Sequence, residues 1–479
     1  MNIFYVLRQQ SALGDKIAIV TAGGEISYRE LFERVKVYIA WLKSRKSIKR
    51  GDRVVLAIKP SIDFYVALIA LAGIGAEAVL IEPSNLGRAL RCLKFAEPQY
   101  ILLGLKLLLP VCGNLKKAPP KQDSPEQDAG MALMTFTSGT TGGIKAIERS
   151  HDFLMKQAEI LENTLELRQS KIVLTTLPVF VLATLRAGQT SIYVSRTDLQ
   201  FAKAIAAKKL AFEPDLMPDK IICAPQFAQM LAKDGDTANL LKGKHVIVGG
   251  APLYAPVAAA VRRHCKRLTL VYGSSEAEPI SHLEVDESCL QEMYKAAKEG
   301  LGLLCGTIDQ SVELIILPLA SFEKYQKIIA DRMIQGEKLN SEDLEKAPPF
   351  LEGKVGEILV AGEHVNKAYY RGVGESENKL SIGNKVFHRT GDTGYLKDGR
   401  LYLTGRKSSP WSHVVESFVS LDGAVKRSAF LGAAGKLLVE PYKGATLSKE
   451  TREQLTKANI AIEYTRLSVD ARHGSKVIA

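Results

Sequence analysis

A run of apolar residues from Met131 to Met134 passes directly into Thr135-Phe-Thr-Ser-Gly-Thr-Thr-Gly-Gly-Ile-Lys145, and this junction restricts the chain more than any other stretch. The apolar run reads as a buried strand. Its polar continuation suits an anion. Thr137, Ser138, Thr140 and Thr141 carry hydroxyl donors, and Gly139, Gly142 and Gly143 let backbone N–H groups approach closely. Lys145 adds a full positive charge. The competing interpretation is a plain Ser/Thr/Gly turn between strands. A Walker loop is excluded, because that motif requires a Ser or Thr after its lysine, whereas Lys145 is followed by Ala146 and Ile147.

The chain around this junction alternates strand and helix. Residues 16–20 read as a strand, and Ser27-Tyr-Arg-Glu30 as a capping box opening a helix whose apolar face is Leu31, Val35, Tyr38, Ile39 and Leu42. Strands at 54–58 and 77–81 enclose a helix capped by Ser61, and 116–130 reads as an exposed loop. A second run comes after it, with strands at 172–176, 220–223 and 245–248 and helices at 201–209 and 227–233. This rhythm predicts an α/β fold with a mostly parallel sheet. Residues 322–344 read as a charged helical insertion, and the short strands at 355–360 and 401–403 as a small β unit.

A chain of 479 residues is too long for one ordinary core, so two or more domains are expected. The net charge of +12 is scattered and forms no basic block, which argues against nucleic acid and is met by an anionic small substrate. The cysteines at 92, 112, 223, 265, 289 and 305 contain no Cys-x-x-Cys pair, so reduced thiols are expected. Met1 to Arg8 has no leader pattern, and the most apolar stretch, Phe64 to Ala76, is too short to span a bilayer. A cytoplasmic protein with no transmembrane segment is the expectation.

Further stretches carry chemistry. Val246-Ile-Val-Gly-Gly-Ala-Pro252 is a strand emptying into Gly249, Gly250 and Ala251, the kind of strand end at which open α/β sheets bind ligands. Taken alone it reads first as an ordinary strand end. In Leu270-Val-Tyr-Gly-Ser-Ser-Glu276, the Tyr272 ring can stack on a base, and Gly273, Ser274 and Ser275 can meet a phosphate. The Glu276 carboxylate can hold Mg²⁺ against phosphate oxygens. A surface turn is the alternative. The stretch His388-Arg-Thr-Gly-Asp392 precedes Gly399-Arg-Leu-Tyr-Leu-Thr-Gly-Arg406, and Asp470-Ala-Arg-His-Gly-Ser-Lys476 comes last. Without the others, Thr-Gly-Asp is a turn and Lys476 a solvated tail.

Together and in this order, these stretches resemble the signatures of the adenylate-forming (AMP-forming ligase) superfamily, over nearly the whole chain. Ile144 stands where the family has proline, Ala146 where it has glycine, and Ser275 where it has threonine; none of these removes a phosphate donor. The resemblance implies a large N-terminal domain, 1–405, made of two α/β subdomains plus a small β unit. It is followed by a small, shortened α+β C-terminal domain, 406–479, hinged near Lys407 and Ser408. It assigns Asp392 to the ribose hydroxyls, Arg406 to ribose and phosphate, and Lys476 to the adenylation transition state. ATP and Mg²⁺ are the implied cofactors and a carboxylic acid the implied substrate. Asn85-Leu-Gly-Arg-Ala-Leu-Arg-Cys-Leu, Leu177-Pro-Val-Phe-Val-Leu, Tyr272-Gly-Ser-Ser-Glu-Ala-Glu-Pro-Ile-Ser and Asp470-Ala-Arg-His are similar to the β-lactone synthetases of olefin pathways, which act on 3-hydroxy acids. Glu416 follows Arg406 too soon to leave room for the glycine-centred hairpin that guides CoA in relatives. CoA therefore stays open as a partner. An acyl-CoA ligase and a nucleotide-binding regulator with little turnover are the alternatives. Phe180, Leu182, Ala224 and Pro225 read as core first and as an acyl pocket second.

Overall fold

The computed structural model describes residues 2–81, 86–105, 108–110, 130–138, 144–195, 198–208, 216–318, 355–469 and 477–478. The chain divides into two compact units, one of residues 1–222 with 368–375, the other of residues 223–367 with 376–479. The expected loop at 116–130 falls outside the described residues except for Gly130, and the expected helical insertion at 322–344 falls outside them entirely.

The first unit contains two runs of paired strands. One runs in the order Leu108–Pro110, Tyr100–Leu102, Arg53–Leu56, Glu77–Leu80, Met131–Ser138, Ile144–Ser150. Its inner strands are parallel, and the outer strand on each side pairs antiparallel. The other joins residues 220–222, Ile172–Thr175, Thr190–Tyr193 and Ile17–Thr21 in parallel, with Gly24–Ser27 antiparallel at its edge. The helix Ile62–Ile74 is buried on nearly every side in the core of this unit. Its sequence is apolar around its whole circumference, which is how such a helix reads when no face meets water.

The second unit begins parallel, with His245–Gly249 beside Arg267–Ser274. It continues antiparallel through Ala277–Glu284, Leu303–Ile308, Arg400–Arg406, Lys385–Lys397, Gly356–Ala361 and Glu313–Pro318. The short strands expected as a small β unit are thus antiparallel in kind, and they are hydrogen-bonded edge to edge onto the parallel pair. A three-stranded sheet of Val425–Leu431, Lys436–Pro441 and Ala461–Tyr464 comes next, with the helices Ser412–Val419 and Lys449–Lys457. Cys223, Cys265, Cys289 and Cys305 are free thiols, and they and Cys92 are buried.

The helix Tyr28–Lys46 starts where the sequence places it. The Ser27 hydroxyl accepts from the Glu30 N–H at 3.2 Å, and the Glu30 carboxylate accepts from the Ser27 N–H at 3.1 Å. Both donors would otherwise be orphaned at a helix start. Ser27→Ala should therefore lower amide-exchange protection of the first turn about fivefold, the equivalent of ~1 kcal/mol. Unchanged exchange at Glu30 would contradict the capping account.

Candidate active site

In the second unit, Tyr272, Asp392 and Arg406 meet through direct hydrogen bonds. Tyr272 lies near the end of Arg267–Ser274, and its hydroxyl donates to Asp392 Oδ2 at 2.6 Å. Arg406 ends its strand directly opposite Asp392, and its guanidinium donates to Asp392 Oδ1. Burial and the adjacent Asp392 carboxylate push the Tyr272 hydroxyl well above the usual phenol range. Asp392 raises Arg406 in turn. The phenol therefore stays a donor, the guanidinium stays charged, and both engage one carboxylate.

The local fold explains how Asp392 is aimed. Arg389 pairs with Leu359 but Thr393 with Glu357, so Thr390-Gly391-Asp392 bulges from the ladder. Thr390 Oγ1 donates to the Ile358 carbonyl at 2.9 Å and accepts from the Asp392 N–H at 3.0 Å. Gly391 has φ +71°, and a Cβ there would lie 3.3 Å from the Arg406 guanidinium. Bulges commonly re-aim a side chain beside a functional site.

Ser275 and Glu276 form the tip of a two-residue hairpin, because Ser274 pairs with Ala277. Ser274 Oγ accepts from the N–H groups of Glu276 and Ala277 at 3.3 and 3.2 Å. The Glu276 carbonyl accepts from the Asn366 N–H at 2.7 Å, which ties the tip to the neighbouring chain segment. Gly249 pairs with Val271, and a Cβ on it would lie 3.1 Å from the Val271 carbonyl oxygen. Gly250 follows with φ +83°, and Ala251 comes next in the turn. The strand ends carrying Gly249 and Tyr272 are therefore adjacent.

In the first unit, Thr137 pairs with Lys145 and Ser138 with Ile144 across an antiparallel hairpin. Lys145 is only 4% exposed, and among the described residues its ammonium has neither hydrogen-bond nor ion-pair partner. Gly139, Thr140, Thr141, Gly142 and Lys476 lie outside the described residues. Among the described residues no group of three or more His, Cys, Asp or Glu could hold a metal ion. A lone carboxylate at a tip suits a hard cation carried largely by phosphate oxygens, as Mg²⁺ usually is. Among the described residues no helix is long and apolar enough to cross a membrane. Phe180, Leu182, Ala224 and Pro225 are all buried, and Leu182 borders a small apolar cavity with Ile3, Leu154 and Ala158.

Two features were not anticipated. The Tyr254 hydroxyl donates to Glu416 Oε2 at 2.8 Å, while Glu416 Oε1 accepts from the Phe430 N–H at 3.0 Å. Near Glu276 sits a buried basic cluster. The Lys379 ammonium donates to the Asn366 carbonyl and lies 3.4 Å from His388 Nδ1.

A protein-family model described as AMP-binding enzyme matches residues 6–317. This chain belongs to that family and is an AMP-forming ligase or synthetase. The olefin β-lactone synthetase of Stenotrophomonas maltophilia is 26% identical over 94% of this chain and 89% of its own. That of Xanthomonas campestris is 25% identical over 97% and 93%. The mitochondrial malonate–CoA ligase of mouse is 27% identical over 83% and 72%. Among solved structures, ATP-bound MatB from Rhodopseudomonas palustris superposes with a TM-score of 0.73 at 19% identity, covering 100% of this chain and 97% of its own. The amide bond synthetase McbA from Marinactinospora thermotolerans gives 0.70 at 19% identity, covering 99% and 97%. The fold is that of adenylate-forming enzymes, with a large N-terminal and a smaller C-terminal domain.

The basic cluster sets a pH expectation. Burial, then the Lys379 charge, push the His388 imidazole down to about 4, while Glu276 and Asp392 pull weakly the other way. The unfolded value is ~6.5, so the unfolded chain binds the extra proton first. The stability His388 contributes is complete above the unfolded value and is lost as pH falls towards about 4. Imidazole NMR shifts should show His388 neutral at pH 5, and Lys379→Met should raise its midpoint. A wild-type midpoint near the ordinary histidine value would contradict this.

Proposed function

We propose that this enzyme activates a 3-hydroxy fatty acid as its acyl-adenylate and then closes it to a β-lactone. The activated class, a carboxylic acid used with ATP, follows from the family. In the first step a carboxylate oxygen attacks the α-phosphorus of ATP, and pyrophosphate leaves. No protein base is needed, because the acid is already ionised near neutral pH. In the second step the 3-hydroxyl oxygen attacks the acyl carbon, AMP departs, and the hydroxyl proton passes to solvent or to the departing phosphate.

In this reading Thr137, Ser138, Gly139, Thr140, Thr141, Gly142 and Lys145 cradle the phosphates. Gly249 to Ala251 and Tyr272 to Ser275 hold the adenosine moiety, and Asp392 and Arg406 the ribose. Glu276 holds Mg²⁺, and Lys476 meets charge developing on the transferred phosphate. Residues 1–405 form the adenylating domain and 406–479 a small mobile lobe whose movement exchanges the groups facing the adenylate. The protein acts in the cytoplasm.

The observation that carries the choice of second step is the connection between Arg406 and Glu416. Arg406 N–H donates to the Ser409 carbonyl at 3.1 Å, Ser409 N–H returns to the Arg406 carbonyl at 2.7 Å, and Ser412 N–H donates to the Ser409 carbonyl at 3.0 Å. The chain thus passes through a tight turn straight into the helix Ser412–Val419, with no hairpin to guide a thiol. An internal nucleophile needs no such guide. The similarity to olefin β-lactone synthetases over nearly the whole chain supports the same choice.

Product analysis tests it. With a 3-hydroxy fatty acid and MgATP, a β-lactone and AMP should form without CoA; AMP release strictly dependent on CoA, yielding acyl-CoA, would overturn the reading. Lys476→Ala should slow adenylation about 10²-fold or more while leaving MgATP affinity within about twofold, since the lysine meets charge only in the transition state. A negligible effect on rate would remove Lys476 from the transition state, whereas MgATP binding without any acid-dependent turnover in the wild type would favour a nucleotide-binding regulator.

A further inference from the structure

Residues 368–375 follow the second unit in sequence yet fold with the first. Their attachment is elaborate for so short a segment. The buried Arg53 guanidinium donates to the Tyr370 hydroxyl and the Ala96 carbonyl, and lies 5.1 Å over the Tyr370 ring. That ring meets Phe95 edge-on at 5.6 Å. Arg371 reaches back to Glu97, with Nη1 donating to Oε1 at 3.1 Å. The Tyr369 N–H donates to Glu375 Oε1 at 2.8 Å, closing the segment on itself. Arg371, Gly372 and Gly374 all take positive φ, at 59°, 70° and 87°. A non-glycine residue in that region costs free energy and persists only where surrounding contacts enforce it.

This segment rests on the hairpin that carries Lys145. Tyr370 packs on the cluster containing Phe136 and Ala146, one on each strand of that hairpin. At its far end, a Cβ on Gly374 would stand 2.7 Å from Lys145 Cε, 2.9 Å from Cδ and 3.2 Å from Cγ. The lysine stem therefore runs along the bare face of Gly374 for most of its length. With Lys145 almost wholly buried, the stem has little room to move aside.

We propose that residues 368–375 are a strap that positions the Lys145 ammonium for a nucleotide phosphate, with Gly374 the point where a side chain is forbidden. The inference rests on the nucleotide-binding reading above and adds a positioning residue to it. Gly374 touches no ligand itself. Its role is to hold a long flexible cation in one extended path, so that the rotamer entropy otherwise lost on meeting the phosphate is surrendered at folding.

Gly374→Ala does two separable things: it strains the backbone at positive φ, and it displaces the Lys145 stem. A double-mutant cycle with Lys145→Ala separates them, because alanine at 145 leaves no stem to displace. MgATP affinity is read by calorimetry on the full chain, so the result does not depend on turnover. Gly374→Ala should weaken MgATP roughly tenfold, the scale of a charge-assisted hydrogen bond. In the Lys145→Ala background it should add less than about twofold, while the loss of thermal stability persists in both backgrounds. Tyr370→Ala, which loosens the strap elsewhere, should show the same non-additivity and serves if Gly374→Ala does not fold. Additive losses of affinity would overturn the inference, as would a wild-type chain that binds no MgATP. Binding without acid-dependent turnover would overturn the ligase reading alone.

Discussion

The Asp392 carboxylate is the constraint on which the second unit's site depends. It is a buried charge, and in isolation that would be prohibitive. It is tolerated because the Tyr272 phenol and the Arg406 guanidinium each satisfy one of its oxygens. Arg406 lies on the next strand of the same hairpin, but Tyr272 lies 120 residues from Asp392, so the hydrogen bonds also fix how Arg267–Ser274 converges with Lys385–Lys397 and Arg400–Arg406. Losing either partner would leave the buried Asp392 carboxylate short of a donor, which is destabilising. A preorganised triad of this kind offers donors and an acceptor without rearrangement when a polar ligand arrives.

The first unit solves a different problem. Its cation, Lys145, is held without a protein counter-ion among the described residues, and its stem is confined by the strap instead. One unit thus carries a satisfied polar network, the other a lysine whose stem is enclosed. Neither arrangement could be read from residue types alone; both arise from what lies opposite each side chain in the folded chain.

Local signals in the sequence were reliable where local chemistry decides. The caps at Ser27 and Ser61, the buried strand before Thr135 and the glycine-ended strand before Gly250 all appear where residue chemistry places them. The continuity of the β-rich stretch with the parallel strands was less legible, because its runs are short and interrupted by glycine turns. Thr390-Gly391-Asp392 reads as a turn, and the bulge that makes it part of a long strand depends on register with Gly356–Ala361. The Lys379–His388 pair had a usable signal: Gly383-Asn384 is a two-residue hairpin turn, which sets those residues opposite each other. Tyr254 and Glu416 had none, since 162 residues separate them. Gly374 could not be found from sequence, because its significance is the lysine beside it.

The most direct test of the whole account is acid-dependent exchange of pyrophosphate into ATP by the full chain with Mg²⁺, across a panel of fatty and 3-hydroxy fatty acids. The account predicts exchange that requires the acid, is strongest with 3-hydroxy acids and needs no CoA. A folded protein that binds MgATP yet exchanges pyrophosphate with none of these acids would contradict it.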